Sequence, residues 1–403
     1  MSQELEPWKG LVERIVLMKL SPSRAWDRHM TTHFIVRRLE AFCFRYPLST
    51  PVVTSFGLMS NRPAVFVRVE DVEGHAGWGE VWANFPSTGA EHRARLVNEV
   101  LAPIVTGSVA CQPREVFEKL TQATEILGLQ SGEPGPFAQA IAGIDLAIWD
   151  LYAKRRGIAL WKLLGGDRRE IRVYASGINP TGAQKTAEAA LRRGHRALKL
   201  KIGFGLATDC INLASLRELV GYGMLAADAN QAWSVAQAVE VAPHLAKFSL
   251  AWLEEPIRAD RPWREWERLH KETDLRLAAG ENITSHLGFE QALGGDVLSV
   301  VQPDVAKWGG LTGCSRIAQK ILESGKTFCP HYLGGGIGLL ASAHLLAGIG
   351  GDGLLEVDAN DNPLRDRFCG PVSEIREGKI TLSDNAGIGI EPDLASIEQY
   401  RTI

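Results

Sequence analysis

Three carboxylates recur at almost constant spacing, each closing a short apolar run: Asp228 in LAADAN, Glu254 in AWLEEP and Glu281 in LAAGEN. The intervals are 26 residues (228 to 254) and 27 residues (254 to 281). That is the length of a strand, a helix and the return to a neighbouring parallel strand. Successive parallel strands would therefore carry three acids to one rim of one barrel. Three converging carboxylates repel one another unless a hard cation sits between them, and ligation by oxygen alone suits Mg2+.

The same rhythm extends on both sides of these acids. Strands are expected at Ile171–Ser176, Ala197–Ile202, Leu225–Ala229, Ala251–Leu253, Arg276–Ala279, Leu298–Gln302, Thr327–Cys329 and Leu354–Val357, with helices between them. Such alternation closes into a parallel α/β barrel over 157–358. Residues 32–156 read differently, as strands followed by helices, an α+β unit. FIVRRLEAFCF, AVFVRVED and HAGWGEVW are its expected antiparallel strands, and PLSTPVVTSFGLMSNR its expected loop. Phe137, Ile141, Ile144, Ile148 and Leu151 recur at helical spacing before a capping Gly157. Residues 1–31 read as an appendage that packs weakly or not at all, and 359–403 as a segment returning to the first unit.

Composition excludes several classes of partner. Lys and Arg total 44 against 47 Asp and Glu, a net charge of −3, so there is no basic excess for nucleic acid or an anionic membrane surface. No apolar stretch approaches transmembrane length. Glu13 and Arg14 interrupt the one N-terminal run that resembles a signal peptide. The six cysteines lack zinc or CxxC spacing and read as free thiols in a reducing cytoplasm.

Four further strand ends carry reactive groups. Lys199 and Lys201 in ALKLKIG lie two apart and point to the same side of a strand. Neighbouring ammonium groups and a nearby dication favour the neutral form, which lets such a lysine act as a base. Asp304 in VQPDVAKWGG and His331 in TFCPHYLGGG fall on adjacent strand ends, where the aspartate can fix the imidazole tautomer. Glu356 in LLEVD ends the last strand and by itself reads equally as a salt-bridge partner. The glycine run after His331 is read as space beside the imidazole in preference to a phosphate cradle. Ser342 and Ser383 lie in no GxSxG context, which gives a serine hydrolase little support.

In order, KLK, DAN, EEP, GEN, QPD with KWGG, and PH with a glycine-rich loop resemble the mandelate racemase group of the enolase superfamily, over roughly residues 34–400. The resemblance implies a modified TIM barrel, (β/α)7β, under an α+β N-terminal capping domain completed by the C-terminal segment. It implies one Mg2+ held by Asp228, Glu254 and Glu281, and removal of the proton beside a carboxylate to give an enediolate. A lysine or histidine base beside Mg2+ is this superfamily's stated pattern. Carried over by position, Lys201 is the base on one face and His331, held by Asp304, the acid or base on the other. Lys199 neutralises the substrate carboxylate and Glu356 donates to its oxygen. Related subgroups place a lysine where this chain has Asp304, and Lys307 is not that base.

Bases on two faces permit three outcomes. Loss of a hydroxyl from the next carbon is dehydration, return of a proton to the same carbon is epimerisation or racemisation, and loss of a lactone oxygen is cycloisomerisation. Dehydration of a sugar acid is the favoured expectation, by association with relatives of this constellation. Thr54, Ser55, Asn61 and Arg62, beside Phe56 and Met59, give the expected capping loop a polar content suited to a polyol, and Trp82 and Phe85 are candidates for a second wall. The expected partner is a small carboxylate, with neither nucleic acid nor membrane, and the chain is expected to form a homo-oligomer.

Overall fold

The computed structural model of the chain describes residues 33–54 and 57–403. The appendage 1–31, Ser55, Phe56 and the side chain of Thr54 lie outside the described residues. An antiparallel sheet comes first: β1 (Phe34–Thr54), β2 (Gly57–Asp71), β3 (Ala76–Val81) and β4 (Val109–Ala110), in the order β3-β2-β1-β4. The segment expected to be a loop between the first two strands is instead the far end of a long hairpin. Its pairing shifts register between Pro47 and Val52 and resumes at Val52↔Met59 and Val53↔Leu58. Prolines lack the N–H a ladder needs, and Pro47 and Pro51 bracket the shift.

Helix Pro134–Arg155 covers this sheet, and Phe137, Ile141, Ile144, Ile148 and Leu151 are all buried. Its approach to β3 is close enough that a Cβ on Gly77 would lie 2.2 Å from the Ala147 carbonyl oxygen, and one on Gly79 2.1 Å from that of Gly143. The two glycines of GWGE are therefore contact points between backbones. Gly157 takes a left-handed φ of 64° and its N–H donates to the Lys154 carbonyl at 2.9 Å, ending the helix.

Eight parallel strands follow: β5 (Glu170–Ile178), β6 (Ala197–Lys201), β7 (Met224–Asp228), β8 (Leu253–Glu254), β9 (Leu277–Ala279), β10 (Leu298–Val301), β11 (Thr327–Phe328) and β12 (Leu354–Asp358). Among the described residues seven helices alternate with them, from Ala183–Arg192 to Gly336–Ile349. The pairing runs β11-β10-β9-β8-β7-β6-β5-β12, a nearly closed barrel. At the seam between β11 and β12 the Leu354 N–H donates to the Cys329 sulfur at 3.4 Å. A short β13 (Lys379–Thr381) adds antiparallel to β5. The chain end is stitched to β1, where the Thr402 N–H donates to the Cys43 carbonyl at 2.8 Å. No helix among the described residues is long and apolar enough to cross a membrane.

Buried carboxylates clamp the cap to the barrel. Glu80 on β3 accepts from the N–H groups of Gly335 (2.5 Å) and Gly338 (2.8 Å), at the start of helix Gly336–Ile349. The glycine run after His331 thus already holds a carboxyl group, one supplied by the chain itself. Asp145, on the covering helix, accepts from the Thr312 N–H (2.9 Å) and hydroxyl (2.6 Å). Burial pushes both carboxyls up to about 7 against the pull of these donors.

Candidate active site

The strand register sets the site in two layers. On β6, Lys199 faces Ala226 and Lys201 faces Asp228 of β7, and Asp228 in turn faces Glu254 of β8. Side chains two apart share a face, so Lys199 and Glu356 lie deeper in the barrel than Lys201 and Asp358.

The deep layer is a closed ion-pair network. Lys199 Nζ lies 2.6 Å from Glu254 and 2.8 Å from Glu356, and Glu254 also accepts from the Gln302 amide at 2.8 Å. Burial alone would lower the Lys199 ammonium. Glu254 and then Glu356 outweigh it and hold this lysine well above its ordinary value. The expectation that paired ammonium groups drive each other toward the neutral form is therefore not met at Lys199. Burial raises Glu356, but Lys199 and His331 bring it below its ordinary value. It is ion-paired to Lys199 and accepts from the Tyr332 N–H at 3.0 Å.

The upper layer lines a cavity of about 240 Å3 that contains Lys201, Glu281 and His331. Lys201 Nζ is 3.2 Å from Asp228 and donates to the Asn230 amide oxygen at 2.5 Å. His331 Nδ1 is 2.7 Å from Asp304, and its Nε2 is 2.6 Å from Glu281. Burial pushes this imidazole down, yet Glu281, Glu356 and Asp304 together hold it well above its usual range. All eight sequence-derived residues therefore meet around one mouth: Lys199, Lys201, Asp228, Glu254, Glu281, Asp304, His331 and Glu356.

The donor set fits a divalent cation. Burial, together with Asp228 and Glu356, pushes the Glu254 carboxyl up to about 7 despite Lys199. Burial and Glu281 push Glu255 well above the carboxylate range. Six carboxylates (Asp228, Glu254, Glu255, Glu281, Asp304 and Glu356) face Lys199, Lys201, Lys307 and a protonated His331. On formal charges that leaves an excess of two negatives, which one dication balances. A second converging group, Asp71, Glu73 and His75, sits at the β2–β3 turn. There the Asp71 carboxylate already accepts from the Glu73 and His75 N–H groups and pairs with Arg155, so it is spent on holding the turn.

Sequence reasoning singled out one letter of each strand-end motif and passed over its neighbour. Asn230 of DAN binds Asp228, Asn282 of GEN donates to both Glu255 and Glu281, and Gln302 of QPD donates to Glu254. Asn230, Gln231 and Glu255 all carry positive φ without being glycine, a strained conformation that concentrates at functional sites. Lys307 is near the acids as well: its Nζ donates to the Asn282 amide oxygen at 2.8 Å and lies 4.7 Å from the Trp82 ring centre. From the cap, Met59, Arg62, Trp82, Asn84 and Phe85 line the cavity. Asn61 instead accepts from Arg45 at 2.8 Å.

Comparison with known proteins agrees with this geometry. Residues 38–165 match the mandelate racemase / muconate lactonizing enzyme N-terminal domain, and residues 182–396 the enolase C-terminal domain-like family. The chain is 28% identical to the D-galactarolactone cycloisomerase of Agrobacterium fabrum, over 92% of this chain and 97% of that one. It is 27% identical to the arabinonate dehydratase of Saccharolobus solfataricus, over 84% and 90%. A mandelate racemase/muconate lactonizing enzyme structure from Bordetella bronchiseptica is 48% identical, with a TM-score of 0.87 over 91% of this chain and 99% of that one. A Streptomyces coelicolor racemase structure with bound magnesium is 26% identical, with a TM-score of 0.81 over 91% and 100%. The chain belongs to the mandelate racemase/muconate lactonizing enzyme group of the enolase superfamily.

Proposed function

We propose that this enzyme removes the proton beside the carboxylate of a sugar acid and expels a hydroxyl from the next carbon, giving a 2-keto-3-deoxy acid. The observation that carries the reading is the placement of Lys201 and His331. They reach one small cavity from β6 and β11, three strands apart across the seam, with the acids of β7 to β9 on the other side. Lys201 takes the proton from one face of the substrate carbon. His331, its Nδ1 held by Asp304, offers Nε2 from the other side and protonates the departing oxygen. Lys199, kept charged, supplies positive potential beneath the substrate carboxylate.

Mg2+ held by Asp228, Glu254 and Glu281 would stabilise the negative charge that develops on the carboxylate oxygens. The cavity is smaller than the ~300–1,000 Å3 of drug-sized sites, and amides line it at Asn84, Asn230, Gln231, Asn282 and Asn360. Val52, Met59, Trp82, Phe85 and Leu333 line it as well, so the amides would serve the hydroxyls of a short polyol and the apolar side chains its carbon frame. A related reading, cycloisomerisation, follows if the leaving oxygen belongs to a ring, and similarity to the D-galactarolactone cycloisomerase favours keeping it.

The test is a screen of sugar acids and their lactones with Mg2+, reading keto-acid formation and deuterium uptake from solvent separately. Keto acid from an open-chain hydroxy acid is the expected result. Deuterium uptake without keto acid would replace dehydration by epimerisation, and activity on lactones alone would replace it by cycloisomerisation.

A further inference from the structure

Asp358 and Asn360, at the end of β12, form a second Asp-Ala-Asn, and both line the cavity. In the strand order β12 lies four strands from β8, so this motif faces Glu254's strand across the barrel mouth. Its cation comes from the cap: Arg62 Nη2 donates to Asp358 Oδ2 at 2.6 Å, with both side chains buried. Arg365, 4.0 Å from Asp358, is engaged by Asp366 at 2.6 Å. Two guanidinium groups and two carboxylates leave this end of the cavity neutral.

Its hydrogen bonds are almost, but not wholly, used. Asp358 Oδ1 accepts from the Asn360 N–H (3.0 Å) and side-chain amide (2.7 Å), and Oδ2 accepts from Arg62. A carboxylate has about four acceptor positions, so about one remains. Buried Arg62 Nε has no partner among the described residues. An open acceptor position on Asp358 and an unpartnered donor on Arg62, two ion-paired residues that both line the cavity, match a hydroxyl, which gives one hydrogen bond and takes one. A carboxylate only accepts, and it would meet Asp358, beside which Arg62 and Arg365 are already ion-paired.

We propose that Arg62 and Asp358 form a neutral clamp for the terminal hydroxyl of the substrate, so that the enzyme acts on sugar monoacids and rejects the corresponding diacids. This rests on the sugar-acid reading above and narrows it.

The experiment is calorimetric titration of the full chain in Mg2+ with the D-hexonates and with the hexarates made by oxidising their C6. At least one hexonate should bind about tenfold or more tighter than its own hexarate, and Asp358→Asn should shrink that ratio severalfold. A hexarate that binds as well as or better than the best hexonate would overturn the clamp. So would no binding by any member, or an unchanged ratio in a folded Asp358→Asn. If that variant does not fold, the wild-type ratio alone decides. Deuterium exchange at C2 in the same mixtures separates the two readings: a tightly bound monoacid without exchange ends the proton-abstraction reading and leaves the clamp standing.

Discussion

The tripeptide Asp-Ala-Asn ends β7 and ends β12, and its two copies share hydrogen bonds but not surroundings, and of the two asparagines only Asn230 has a positive φ. In each, the asparagine N–H donates to the aspartate Oδ1, at 2.8 Å for Asn230 and 3.0 Å for Asn360. In each, the asparagine side-chain amide also donates to the aspartate. At β7 the carboxylate joins a cluster of acids that outnumber their cations. At β12 it meets one guanidinium delivered by the cap and is balanced. A motif fixes how a carboxylate is held, and its neighbours across the barrel decide whether it has charge to spare for a metal.

The largest effects should fall on the β7 side. Asp228→Asn is expected to abolish both Mg2+ binding and turnover, and chelation of the wild type should silence it until Mg2+ is returned. Activity that survives exhaustive chelation would contradict the metal role. Lys201→Ala and His331→Asn should each lower kcat by about 10²–10⁴-fold or more while calorimetry still detects Mg2+. Full activity in either variant removes that residue from the mechanism.

On the β12 side, Asp358→Asn should leave Mg2+ binding intact. It should cost about 3–5 kcal/mol of stability in denaturant unfolding, because a buried guanidinium loses its counter-charge. Loss of Mg2+ binding in this variant would erase the distinction between the two copies.

The cap clamps offer a smaller, pH-resolved contrast. Glu80 is pushed up from 4.5 to about 7, so between those values the folded protein holds a proton that the unfolded chain releases. Stability from this group therefore falls as pH rises from about 4.5 to 7, then levels off. Glu80→Gln should reduce that decline without abolishing it, since Asp145 titrates in the same direction. Urea unfolding at pH 5 and pH 7.5 checks this, and an undiminished slope would acquit Glu80. Smallest of all, Thr312→Val should cost about 1–3 kcal/mol by leaving the Asp145 carboxylate short of its hydroxyl donor. Unfolding identical to wild type would show that the backbone N–H suffices.

The barrel was legible because its signals are local and periodic. Acids spaced by one strand-helix unit return to one rim, and Asp228, Glu254 and Glu281 do so, with Lys201 and His331 beside them and Lys199 and Glu356 one layer below. The cap was read less well. The long hairpin reads as a loop because prolines interrupt its pattern, although pairing resumes at Val52. Nothing near Glu80 in GWGEVW reveals that its partners are the N–H groups of Gly335 and Gly338. Arg62 reads from sequence only as a polar group, because its partner lies 296 residues away.

Sequence alone determined the order of strands, the family, and which groups can carry charge into the mouth, since periodicity and residue type are properties of the chain. Tertiary structure alone decided which charges are balanced. Lys199 is held charged, Glu80 fills the glycine turn, and Arg62 neutralises one Asp-Ala-Asn and not the other. Each of these depends on distances of a few ångströms between segments far apart in sequence, and it is such distances, together with exclusion of water, that set electrostatic energies.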